Sequence, residues 1–522
     1  MKRHSWGSPA EAAQRAMLHC RMLHLSEQAL ADAIHFMPGV AVSLPPFALL
    51  RRLGAPPLLS LLSLPLLLIG CSALPPQAEP EFSSLVVLGE NGAAVARVLI
   101  ADDACPAITV DGQTRTMQRR AAAGTLAQRS TASKPEESKP SAFPVLTCDS
   151  AIAPGSLSAT VLGRTLVLPR PEPTRIVVIG DTGCRLKKSG DAYQACNDDR
   201  QYPFARIAAS AANWKPDLVV HVGDFHYREN ACPDGNAGCV GSSWGYGWDA
   251  WRDDFFTPAA TLLQAAPWVV VRGNHESCSR AGQGYWRFID PRPLLAGRDC
   301  NDATNDREGD YSAPYAVPLG NDAQLLVIDS SATRWQGFDE KNPQQQHSLE
   351  RYRAHYRALE ALSQRATHNI GLIHHPILAF DAAPNAKGGI TLRTGDAGLQ
   401  QAWAGLASTL MPLRIQLLLS GHVHLWEQLS FSSGHPSQLV AGFSGTQEDS
   451  PPLPASLPAD AAPAPGAIVE HFSSWVGGFG YMTLERSGPQ SWDVTVRDAD
   501  GDIKNTCRVE GRKSQCALAQ VQ

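Results

Sequence analysis

Ile176-Val177-Val178-Ile179-Gly180-Asp181-Thr182-Gly183 is an apolar run that stops at a glycine and a carboxylate. Four branched residues in succession fit a strand buried on both faces, as in a parallel sheet. The layout recurs down the chain. Residues 217–222 run into Gly223-Asp224-Phe225-His226-Tyr227, and 268–272 into Gly273-Asn274-His275-Glu276. Residues 369–373 end at His374-His375-Pro376, and 415–419 pass through Ser420 into Gly421-His422-Val423-His424. Another apolar run covers 324–328. Between these runs, amphipathic spacing predicts helices over 204–214, 250–263, 347–365 and 397–409. Strand alternating with helix predicts a layered α/β domain, mixed β-sheets flanked by helices. Such sheets bind ligands where the strands end, because loops from several strands aim side chains into one crevice. Here five strand ends carry Asp, Asn or His, and glycine before the first polar group at four of them permits a crowded approach.

Outward from this core, the pattern changes. Residues 81–170 hold short β-prone pieces (84–88, 95–100, 108–110, 158–161 and 165–168) separated by Gly, Asp and Pro turns, which predicts a small all-β, sandwich-like domain. Its middle, 119–141, is polar and predicts an exposed loop. Pro169-Arg170-Pro171-Glu172-Pro173 is a linker candidate, and the second domain is expected over 175–522. Pieces at 480–485 and 492–497 predict strands that complete a sheet. The chain has 522 residues, and a formal charge of -5 on that length gives no support for nucleic-acid binding.

The amino-terminal stretch has the layout of an export signal. Arg51 and Arg52 precede an apolar run ending Leu68-Ile69-Gly70-Cys71, too short to span a membrane comfortably. Leu-Ile-Gly-Cys resembles the lipobox of bacterial lipoproteins, which implies cleavage before Cys71, a lipid on that cysteine, and a tether over 71–80. The resemblance implies an exported protein on the outer membrane, facing periplasm or exterior, with a soluble secreted form as the alternative. Because the region before the apolar run is long, translation is expected to start at Met37. Ten cysteines follow the signal region, an even number that suits disulfides in an oxidising compartment. Their spacing suggests neighbour pairs: 105–148, 184–196, 232–239, 278–300 and 507–516.

Taken together and in order, the strand-end motifs of residues 175 to about 430 resemble the calcineurin-like metallophosphoesterase family, and within it the purple acid phosphatase branch. That branch carries Gly-Asp-x-Gly, Gly-Asp-x-x-Tyr, Gly-Asn-His-Asp/Glu, a strand ending in His, and Gly-His-x-His. Here these are Gly180–Gly183, Gly223–Tyr227, Gly273–Glu276, Gly371–His374 and Gly421–His424. Many relatives outside the branch have a metal-binding histidine where this chain has Gly183, and Tyr227 offers a ligand in its stead. The resemblance implies two metal ions, one held by Asp181, Asp224, Tyr227 and His424, the other by Asp224, Asn274, His374 and His422. A phenolate suits Fe(III) at the first site; the second would take Fe(II), Zn(II) or Mn(II). It implies hydrolysis of a small phosphate monoester by metal-activated water, with His275 assisting the leaving group. Glu276 is expected to orient His275. Of the doublet, His374 is the expected ligand and His375 is turned toward substrate; His226, Arg185 and Arg228 are further substrate-binding candidates.

Two other functions fit the same residues. A phosphodiesterase or nucleotide hydrolase would use an identical metal core. An envelope binding lipoprotein would carry the core as a vestige. Trp244, Tyr246, Trp248 and Trp251 either wall the substrate site or pack a loop.

Overall fold

A computed structural model describes residues 82–517. The export signal, the tether and Cys71 lie outside the described residues. Two sheets face each other. The first has eleven strands, and its centre is Arg175–Ile179 with Leu218–His221, Trp268–Val270 and Phe82–Leu88, all parallel. The second has seven, centred on the parallel set Ala323–Ile328, His368–Ile373, Ile415–Ser420 and Ser437–Ala441. Apolar side chains from both, among them Val178, Val220, Leu325, Ile370, Leu417 and Trp492, form the core between them. The outer face of the first sheet packs on the helix Phe204–Asn213, and that of the second on Pro343–Ser363. Burying each such Val, Leu or Ile contributes about 1.5–3 kcal/mol, which is why these strands read as unbroken apolar runs.

The N-terminal β-rich region precedes these strands, as expected, and four of its strands extend the first sheet. Phe82–Leu88 pairs with Trp268–Val270 (Val87 opposite Trp268), followed outward by Ala94–Ile100, Leu146–Ile152 and Gln118–Ala121. Buried Arg97 locks the join: it pairs with Asp149 at 2.8 Å and donates to Phe288 O and Asp290 O. All five neighbour disulfides are present, Cys105–Cys148, Cys184–Cys196, Cys232–Cys239, Cys278–Cys300 and Cys507–Cys516. Among the described residues, no helix is long and apolar enough to cross a membrane.

Two helices differ from expectation. The stretch 250–263 is broken into Trp248–Trp251, a π turn at Arg252–Phe256, and Ala260–Leu263. The π turn carries Asp254 inward, where its carboxylate accepts from Cys184 N, Tyr227 N and Arg228 N. The stretch 397–409 stops as a helix at Trp403, ahead of Gly405 in the left-handed region at φ +79°.

Candidate metal centre

The carboxyl ends of the two parallel sets meet at one cleft. The first sheet delivers Asp181, Asp224, Tyr227, Asn274 and His275; the second delivers His374, His375, His422 and His424. Asp181, Asp224 and His422 have φ of +54°, +59° and +71°, a region L-residues seldom occupy, so the backbone here is held against its preference. Two glycines make the approach possible. A Cβ on Gly273 would stand 2.0 Å from Asp224 Oδ1, and one on Gly421 2.4 Å from Asp181 Oδ2.

Donor atoms converge at two points. Tyr227 Oη lies 2.8 Å from Asp181 Oδ1 and from Asp224 Oδ2, and 2.9 Å from His424 Nε2. One phenol proton cannot serve two carboxylates and an imidazole; a cation among them serves all at once. At the second point Asn274 Oδ1 is 3.2 Å from His374 Nε2 and 3.0 Å from His422 Nδ1, while His374 Nε2 is 3.1 Å from Asp224 Oδ2. Ligand-capable atoms of Asp181, Asp224 and His374 lie within 4.8 Å of one another, as do those of His374, His375 and His422. The donor set of carboxylate, phenol, amide and imidazole therefore fits two cations, with Asp224 between them.

Outer contacts fix the rings. His374 Nδ1–H donates to Val222 O at 2.9 Å and His424 Nδ1–H to Gln447 O at 2.8 Å, which leaves each Nε2 lone pair facing the cleft. Electrostatics agree with a cation site. Burial and then the facing carboxylates push the Tyr227 phenol well above its ordinary range, so only a cation would let it ionise. Burial opposes charge on His374, yet Asp224 lifts it to about 9. Burial and then charged His374 hold His422 far below its usual range.

His275 stands beside this cluster with its ring 3.8 Å from that of Tyr227. Its Nδ1 is 2.8 Å from Glu229 Oε1, whose carboxylate also pairs with Arg280 at 2.7 Å. Burial and then Arg280 lower His275 to about 3 with protein charges alone. Glu229, not Glu276, is the residue that orients His275. The buried Glu276 carboxylate accepts instead from the backbone N–H groups of Asp224, Phe225, His226 and Gly273, tying the second and third motifs together.

Arg185 reaches the rim: its guanidinium sits over the Tyr227 ring at 5.7 Å and pairs with Asp449 at 2.9 Å. His375 also faces the cleft, its ring 4.3 Å from that of His422 and its Nδ1 2.9 Å from Ser330 Oγ. Two candidates are placed elsewhere. His226 donates through Nε2–H to Gly245 O and packs on Tyr246 and Trp251. Arg228 pairs with buried Asp254 at 2.7 Å and covers Tyr202. The segment after Asp224 is irregular, so which of its side chains reach the cleft is set by their packing partners and not by position in the motif. Glu229, Arg280 and Trp335 carry no local signal in the sequence. Trp248 and Trp251 pack on Phe288 and, with Tyr246, belong to the core, while Trp244 lies under the Lys139 ammonium. The aromatic at the cleft is the partly buried Trp335, whose ring is 4.8 Å from that of His422.

Residues 174–425 match the sequence profile described as calcineurin-like phosphoesterase. The chain carries a calcineurin-like phosphoesterase domain. Among solved structures, the chain is similar to a purple acid phosphatase from yellow lupin (Lupinus luteus) seeds at 14% identity and a TM-score of 0.49, covering 84% of this chain and 75% of that one. It is also similar to PhoD at 11% identity and a TM-score of 0.46, covering 86% and 94%. A third is GAP50 of Plasmodium, at 12% identity and a TM-score of 0.38, covering 65% and 90%. No curated protein sequence matches the chain. The calcineurin-like domain thus combines its expected fold with a candidate dinuclear metal cluster, as a metal-dependent phosphoesterase requires.

Proposed function

We propose that the domain hydrolyses phosphate monoesters in the manner of a purple acid phosphatase. The observation that carries this reading is the phenol oxygen of Tyr227 among Asp181, Asp224 and His424, with Gly183 in place of a histidine. In this reading Asp181, Asp224, Tyr227 and His424 would hold Fe(III), and Asp224, Asn274, His374 and His422 would hold Fe(II), Zn(II) or Mn(II). When bound, the two ions supply Lewis acidity toward a phosphoryl oxygen and make water a better nucleophile. The protein does the rest. Val222 O and Gln447 O keep two imidazoles in the ligating tautomer, Glu276 fixes the turn that carries Asp224, and Arg185 offers charge to the phosphate. His275, steadied at Nδ1 by Glu229, presents Nε2 to the leaving oxygen, and the substrate's negative charge favours the proton it must deliver.

Iron-loaded protein is expected to absorb visible light through a tyrosinate-to-iron transition, and Tyr227→Phe to bleach it while leaving the fold intact. Resonance Raman with metal analysis checks this; a band that persists in the variant defeats the assignment of Tyr227. Turnover of p-nitrophenyl phosphate over its bis ester supports monoester hydrolysis, and the reverse preference makes it a diesterase. Export as a lipoprotein is part of the same proposal. Five disulfides support an oxidising compartment. Metabolic lipid labelling that survives Cys71→Ser would defeat the anchor.

A further inference from the structure

Residues 127–140 of the N-terminal β region connect the paired strands Gly124–Leu126 and Ser141–Phe143. Much of this polar loop is exposed, as expected, yet its own side chains fasten its backbone. Gln128 Nε2–H donates to Pro135 O at 2.7 Å, the Thr131 hydroxyl to Ser133 O at 3.1 Å, and the Ser138 hydroxyl to Lys134 O at 2.9 Å. A compact loop packed by its own side chains keeps one shape. Arg129 ties one end to Cys300 O at 2.7 Å, and Lys139 ties the other to Asp249 at 3.1 Å.

The middle of the loop grips the two segments that hold His275. Buried Asn230 follows Glu229, and its side-chain amide donates to Ser133 Oγ at 3.0 Å and to Glu137 O at 3.3 Å. Its Oδ1 accepts from Lys188 N at 2.9 Å, so both donors and the acceptor are used and the amide has one orientation. Ser279 precedes Arg280, and its carbonyl accepts from Ala132 N at 2.8 Å. Glu229 and Arg280, from separate segments, pair at 2.7 Å, and Glu229 meets His275 Nδ1 at 2.8 Å. The loop therefore spans the gap between them, bound to the immediate neighbour of each. The ion pair of Glu137 with exposed Lys188 adds little, and the weight rests on the buried bonds of Asn230.

We propose that Ser133 and Asn230 are positioning residues for His275, which makes the N-terminal β region a working part of the hydrolytic site. The proposal rests on the phosphoesterase reading above. Ser133 fixes Asn230, Asn230 fixes the backbone that carries Glu229, and Glu229 holds the imidazole. Loosening the loop lets the Glu229–Arg280 pair drift, and His275 drifts with it. Metal ligands and phosphate contacts are untouched, so the loss falls on kcat and not on KM. An alkoxide needs a proton as it leaves and feels the loss, whereas p-nitrophenolate departs without one.

The test combines kinetics with hydrogen–deuterium exchange, which is independent of turnover. On an alkyl phosphate, Ser133→Ala is expected to lower kcat about threefold and Asn230→Ala about tenfold, with KM and metal content unchanged. Both should lower kcat for p-nitrophenyl phosphate by less than about twofold. Ser133→Thr keeps the hydroxyl and should restore the rate. The double variant should cost no more than Asn230→Ala, because Ser133 acts through Asn230. Exchange should quicken over 226–232 and 276–283 in both single variants and stay as in wild type over 369–374. Equal losses on the two esters, losses that multiply in the double variant, or unchanged exchange over 276–283 overturn the proposal. If Asn230→Ala does not fold, Ser133→Ala and its rescue by threonine decide alone. A wild type that turns over neither ester defeats the esterase reading instead, and exchange over 276–283 then decides whether the loop holds the Glu229–Arg280 pair.

Discussion

The strand His368–Ile373 starts with a histidine and delivers another, His374, at its end; both are fully buried, and they behave oppositely. At the start, His368 lies between the sheets and accepts from Trp492 Nε1–H at 3.1 Å; burial, then Arg486, lowers it to about 4. At the other end burial works the same way, but Asp224 at 3.1 Å overrides it and lifts His374 to about 9. Burial alone makes a histidine neutral and inert. What makes the carboxyl end a site is the carboxylates that neighbouring strands bring to it.

The harshest way to break this contrast is Asp224→Asn. With the shared carboxylate gone, His374 should fall toward the behaviour of His368 and both cations should bind weakly. Activity is expected to drop by more than about a hundredfold, the upper end for loss of an outer-sphere partner, since Asp224 would be a direct ligand. Metal analysis after gel filtration checks it, and full metal occupancy in the variant would contradict the bridging assignment.

Glu229→Gln should cost less, about 10–100-fold in kcat, because it loosens the orientation of His275 without touching a ligand atom. The loss should grow with the basicity of the leaving alcohol. An equal loss for p-nitrophenyl and alkyl phosphates would mean that Glu229 is merely structural.

The quiet end of the strand predicts a pH effect on stability. The folded-state value of His368 is depressed below the 6.5 of an unfolded chain, so between about 6.5 and 4 the unfolded state binds the extra proton. Stability from this group is complete above that window and declines as pH falls through it, by at most about 3 kcal/mol. Urea unfolding of wild type and His368→Gln at pH 7 and 4.5, both metal-free, should show a smaller pH difference in the variant.

The smallest effect expected is for Trp335→Ala, which removes the aromatic beside His422. Loss of a ring contact of about 1 kcal/mol should raise KM for p-nitrophenyl phosphate about fivefold with kcat nearly unchanged. A fall in kcat alone would place Trp335 in ordering the metal cluster instead of holding substrate.

Much of the carboxyl end was legible in sequence because apolar runs stopping at Gly-Asp, Gly-Asn-His and Gly-His-x-His state both the strand and what it delivers. The runs at 175–179 and 415–419 lie where strands form, and the disulfides follow neighbour spacing. The remainder depends on contacts between distant segments. Nothing near His275 announces Arg280 as the partner of its partner Glu229, and nothing in 250–263 announces a π turn until Asp254 is seen to cap three N–H groups. His226 and Arg228 looked functional from their neighbours in sequence, whereas Gly245 O and buried Asp254 hold them away from the cleft. Trp335 was hidden in a polar loop, and only its contact with the His422 ring gives it meaning.

Val87 lies opposite Trp268 inside the first sheet, which has a consequence for the order of folding. The first described strand to leave the ribosome cannot take its place until more than 180 residues later its neighbour has been made. Pairing over such a separation is slow, because loop closure must come before the contacts that reward it. Until then Phe82–Leu88 can pair only with Ala94–Ile100, which in turn pairs with Leu146–Ile152, so the four-stranded piece keeps one bare apolar edge. A chain built this way stays unfinished for most of its synthesis, and a chain started at Arg175 would hold every cleft residue yet leave the Trp268–Val270 edge without its neighbour.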